Sequence, residues 1–104
     1  MKNMFSRCYS LKELNLSNFN TDNLKDMRAM FYDCSSLKEI NLSNFNTNKV
    51  TNMHHMFFGC SSLKELNLSN FNIDNVTNKG GIFFGCSNEL KNKIKQYTKI
   101  KLNE

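Results

Sequence analysis

The sequence predicts an α/β solenoid of 26-residue coils, with a parallel β-sheet on one face and short α- or 3₁₀-helical turns on the other. Three observations predict it. The four cysteines, Cys8, Cys34, Cys60 and Cys86, fall 26 residues apart each time. The segment SLKELNLSNFN recurs at that spacing, once as SLKEINLSNFN. Apolar residues keep their register from one unit to the next. Units this short cannot bury their own apolar face and must stack on a neighbour.

Taken in order, the units are 1–26, 27–52 and 53–78, followed by a degenerate fourth, so the solenoid runs over 1–87. Each opens towards a strand-like stretch: Leu11 to Ser17, Leu37 to Ser43, Leu63 to Ser69. In the second, Leu37, Ile40 and Leu42 are apolar while Asn41 and Ser43 alternate with them, which turns one side inward. The L-x-x-L-x-L spacing is the strand signature of a leucine-rich repeat. The other half of each unit has a different period. Val50, Met53, Met56, Phe57 and Cys60 recur at steps of three and four, matched by Leu24, Met27, Met30, Phe31 and Cys34. That is a helical spacing.

Stacking would align interior copies. Phe31 and Phe57 fall in one column with Phe5 and Phe83, and Phe45 and Phe71 in another with Phe19. The cysteines form a third column. Zinc needs tetrahedrally convergent ligands, and copies of one side chain point the same way, which suits disulfide pairing poorly. Cys8, Cys34, Cys60 and Cys86 therefore read as small packed thiols.

The fourth unit breaks the pattern with Lys79, Gly80, Gly81 and Glu89, and 88–104 reads as a lysine-rich capping segment. Leu90, Ile94 and Tyr97 share a helical face that Asn88 could cap. Ile100 and Leu102 suit a short strand.

The net charge of +5 is concentrated at the end: residues 87–104 carry +3, leaving 9 basic against 7 acidic residues elsewhere. A nucleic-acid binder needs a basic stripe across its main surface, so nucleic acid is not expected as a partner. No stretch is apolar enough for direct membrane insertion. No nucleophile has an evident base, and the chain reads as no enzyme, with no cofactor and no metal. His54 and His55 correspond to Arg28 and Ala29 one unit earlier, so the pattern does not require imidazole there. The candidate binding residues are the outward strand columns: Lys12, Lys38 and Lys64; Glu13, Glu39 and Glu65; Asn15, Asn41 and Asn67; Ser17, Ser43 and Ser69. Such a face suits a protein or a glycan. A first coil without a cap also favours end-to-end self-association.

The block from Asn52 to Asn78 resembles the BspA-type leucine-rich repeats of surface proteins, including the variant common in mycoplasma lipoproteins. Val50, Met53, Met56, Phe57, Cys60, Ser62, Leu63, Leu66, Leu68, Ser69 and Phe71 carry the resemblance, while Ile73 departs from the usual threonine, present as Thr21 and Thr47. The resemblance implies a non-catalytic module for protein–protein contact or cell-surface adhesion, and no catalytic residue carries over. An intracellular scaffold segment, or a truncated fragment of a longer surface protein, is the alternative. Location follows the same division: cell surface or secreted within a longer exported protein, cytoplasmic if the chain is complete.

Overall fold

Leu14, Ile40 and Leu66 are the inward residues of three short strands, β1 (Glu13–Asn15), β2 (Glu39–Asn41) and β3 (Glu65–Asn67). The computed structural model describes residues 2–68 and 71–94. The strands form one parallel sheet in the order β1-β2-β3. Glu13, Glu39 and Glu65 are aligned, as are Asn15, Asn41 and Asn67. Pairing stops at three residues because the last asparagine of a strand turns the chain: Asn15 Oδ1 accepts the Ser17 N–H and Asn41 Oδ1 the Ser43 N–H, both at 3.0 Å. Asparagine side chains compete with the sheet ladder in this way.

The opposite side corrects the expected architecture. The stretches with helical spacing contain no helix; they are runs of turns. Helix would require each N–H to reach the carbonyl four residues back. Here alternate amides leave the segment: Ala29, Phe31 and Asp33 donate to the carbonyls of His54, Met56 and Phe58. The amides between them, Met30, Tyr32 and Cys34, donate three residues back, to Met27, Ala29 and Phe31. Every fourth backbone is left-handed, at Ala29 (φ 53°) and Asp33 (φ 56°), then at His55 (φ 57°) and Gly59 (φ 77°). Three- and four-residue spacing of buried side chains is common to a helix and to this alternating turn. Nor is the body an extended, curved solenoid. Its extents are 28 × 27 × 19 Å, with one small sheet and, among the described residues, one helix, α1 (Asn88–Ile94).

The core lies between sheet and turns. Phe5, Phe31, Phe57 and Phe83 stack face to face, with centroids 5.8, 5.4 and 5.4 Å apart. Phe45 is buried beside them, and Phe71 is partly buried against the cluster. Two buried threonines close a corner. Thr21 Oγ1 accepts the Asn46 N–H, and Thr47 Oγ1 accepts the Asn72 N–H while donating to the Asn72 carbonyl. A buried hydroxyl needs such partners.

At the far end α1 lies against β3 and buries Leu90 and Ile94. Ser87, rather than Asn88, caps it: the Ser87 hydroxyl accepts the Leu90 N–H at 3.2 Å. Lys93 Nζ donates to the Lys64 carbonyl and to Glu65 Oε1, each at 3.4 Å, so the helix overlies the β3 edge. Tyr97 and the strand expected at Ile100 and Leu102 lie outside the described residues.

Candidate functional site

The strand face takes most of the residues singled out in the sequence. Glu13, Asn15, Glu39, Asn41, Glu65 and Asn67 are exposed on the sheet, and Lys12, Lys38 and Lys64 precede the strands. Part of this set is engaged within the chain, and Glu13, Leu14, Asn15, Ser17, Glu39 and Asn41 line a shallow concavity on the same face. Asn15 and Asn41 terminate strands, and Asn41 Oδ1 also accepts the Ser43 hydroxyl at 2.7 Å. Glu65 is engaged by Lys93. The main chains of the lysine positions serve the ladder: Lys38 N–H donates to the Lys12 carbonyl and Lys64 N–H to the Lys38 carbonyl. Ser69 lies outside the described residues. Strands of three residues give a narrow face with aligned carboxylates and no aromatic anchor. The expectation of binding or adhesion through a curved strand face is thereby corrected.

The cysteines are free thiols, Cys8 half-buried and the others buried. Each of the buried three has a defined partner. Cys34 Sγ donates to the Phe5 carbonyl at 2.9 Å, Cys60 Sγ to Phe31 at 3.1 Å, and Cys86 Sγ to Phe57 at 3.2 Å. Each of these carbonyls also accepts an amide from the cysteine three residues on. Burial pushes the Cys34 thiol up to about 11 and raises Cys60 further. No group of three or more His, Cys, Asp or Glu that could hold a metal ion occurs among the described residues.

The turn side carries what the sequence reading weighted least. Tyr32, Phe58 and Phe84 form a second aromatic row, with centroids 4.9 and 5.1 Å apart. The His54 and His55 rings stack at 3.7 Å, and His55 tilts against Phe58 at 4.7 Å. Burial, then the neighbouring His54, lower the His55 pKa from its ordinary value. Gly81 of the fourth unit now has a cause. A Cβ on Gly81 would fall 2.7 Å from His55 Cδ2, and its φ is +61°. The His55 ring occupies space that Gly81 leaves.

The two ends of the sheet differ most. One edge of β3 is covered by α1, whereas β1 pairs only with β2 among the described residues. Phe5, Leu11, Leu14, Phe19 and Leu24 are partly buried, while the residues aligned with them one unit later, Phe31, Leu37, Ile40, Phe45 and Val50, are all buried. Tyr9 and Met4 on the same unit are 54% and 50% exposed. This end is an apolar layer beside a strand edge that no described residue pairs with, the arrangement that templates association. In the sequence it is signalled by the expectation of end-to-end self-association at the first unit.

Among the described residues no helix is long and apolar enough to cross a membrane. A family model described as "Mycoplasma protein of unknown function, DUF285" matches residues 1–103. That match, and not one to BspA-type leucine-rich repeats, covers the chain, which corrects the resemblance read from the sequence. Comparison with curated proteins and with solved structures returns no significant match.

Proposed function

This chain belongs to the DUF285 family of Mycoplasma proteins of unknown function, and from that premise we propose that it is a protein-association domain that pairs with a second copy of itself through β1. The single observation that carries the reading is the contrast between the half-buried first apolar layer and the fully buried second one. Covering the first layer removes apolar surface from water at roughly 25 cal/mol per Å².

The occupant follows from the ends. Because α1 overlies β3, a copy cannot add its β1 there, and head-to-tail growth is blocked. Pairing β1 with β1 of a copy is isologous, with the strands antiparallel. Centred on Leu14, that register sets Glu13 opposite the copy's Asn15. A parallel addition would instead extend the aligned carboxylates of Glu13, Glu39 and Glu65, and like charges directly opposite are destabilising.

Sedimentation equilibrium of the chain over a micromolar concentration series tests this. The expected result is a monomer–dimer equilibrium that Leu14→Lys shifts to monomer while the melt stays cooperative. A monomer at every concentration, or a Leu14→Lys variant that dimerises like the parent, overturns the reading.

A further inference from the structure

A notch opens on the turn side where the small side chain of Ala29 stands between Asn3 and His55, its counterparts in the flanking units. It measures about 360 Å³ and is lined by Asn3, Ser6, Arg7, Ala29, Tyr32 and His55. It is a shallow, open depression, with room for a small group laid against its wall. Its wall is the Tyr32 ring, with the Arg7 guanidinium 5.9 Å from the ring centroid and the His55 imidazole also at 5.9 Å. The back of the Tyr32 ring rests on Phe58, so the wall is braced from behind.

Each polar side chain around the notch can donate a hydrogen bond. Arg7 carries five guanidinium N–H groups, Asn3 an amide, Ser6 a hydroxyl and His55 a ring N–H. No described residue takes a side-chain hydrogen bond from any of them, and no described carboxylate pairs with Arg7. Arg7 is the one permanent cation of this lining, and the fork of an arginine matches the two oxygens of a carboxylate. An apolar floor beside that fork accepts the carbon frame behind the charge.

We propose that this notch is a binding site for a carboxylate group, held by Arg7 in a bidentate pair, with Asn3, Ser6 and His55 as further donors and Tyr32 and Ala29 against the carbon frame. The site is independent of pairing through β1. A free organic acid and an acidic side chain on a peptide present the same chemistry, and the experiment separates them.

The test is a titration followed by amide and arginine side-chain NMR signals. Benzoate stands for the free acid, a blocked glutamate tripeptide for the protein-borne carboxylate, and inorganic phosphate for a non-carboxylate anion. Saturable shifts centred on Arg7, Ala29 and His55 are expected with benzoate, with the peptide, or with both. The stronger ligand identifies the source. Arg7→Lys keeps the charge and loses the fork, and is expected to weaken binding about tenfold. Ala29→Asn fills the notch with a residue that tolerates positive φ, and is expected to weaken it at least as much with an unchanged melting temperature. Shifts scattered away from the notch overturn the proposal, as do phosphate binding tighter than either carboxylate or unaltered affinity in Arg7→Lys. The arginine variant alters only an exposed side chain, so the test holds if Ala29→Asn fails to fold.

Discussion

Replacing Phe57 by leucine asks how much of the fold rests on the stacked rings. Phe57 is wholly buried, and its ring lies 5.4 Å from Phe31 on one side and 5.4 Å from Phe83 on the other. Leucine keeps the site apolar but removes both ring contacts, each worth ~0.5–1.5 kcal/mol beyond area burial. An imperfect fit of the new side chain adds up to about 1.5 kcal/mol. The sum is about 1–4.5 kcal/mol, a sizeable part of the ~5–15 kcal/mol that holds a domain together. Phe5→Leu is the internal comparison. Among the described residues Phe5 has a single ring neighbour, at 5.8 Å, and it is already part-exposed, so its loss should cost about 1 kcal/mol. Urea unfolding followed by tyrosine fluorescence, at a dilution that leaves the chain monomeric, measures both. The slopes should match the parent, since a changed midpoint at constant slope reports stability alone. Equal costs for Phe5→Leu and Phe57→Leu would refute the reasoning, because the ring column would then not be what distinguishes the two sites.

Two further outcomes follow from the turn side. Gly81→Ala places a Cβ against His55 at a left-handed backbone, and should cost about 1–3 kcal/mol in thermal or urea melts; His55→Ala in the same chain should recover part of it by removing the contact and none of the backbone strain. Because the His55 pKa is lowered from 6.5 in the folded chain, the unfolded chain binds the extra proton first as pH falls. The contribution of His55 is full above 6.5 and is lost as pH drops through the folded value; melting temperatures should fall on acidification, with a smaller slope in His55→Asn.

The strand centres were legible because alternation is local: Leu14, Ile40 and Leu66 each sit between exposed neighbours on a two-residue period. Strand length was not. The seven residues from Leu37 to Ser43 read as uniformly extended, but the Asn41 side chain captures the Ser43 amide and ends pairing early. The turns were misread as helix for a different reason. Spacing of Met53, Met56, Phe57 and Cys60 reports which side chains point inward, and says nothing of where their amides go. Those amides alternate between the local turn and the neighbouring unit, a choice made only once a neighbour exists. The notch was hidden for a related reason. Ala29 is uninformative by itself and becomes a gap only between Asn3 and His55. At α1, Ser87 and Asn88 are both good caps, and geometry selected the serine.

The thiol-to-carbonyl bonds of Cys34, Cys60 and Cys86 give the interior a chemical vulnerability. Each works only while sulfur carries its proton. Oxidation to a sulfenic acid would set an oxygen-bearing group beside the Phe5, Phe31 or Phe57 carbonyl, in a core with no room for it. Damage at one thiol would therefore be transmitted to the unit before it. The same burial that creates this hazard also guards against it, because oxidants attack the thiolate and the raised pKa values of Cys34 and Cys60 keep that form scarce. Cys8, less buried than the rest and donating its thiol to no described residue, is the position where an oxidant would act first and where the layered core has least to lose.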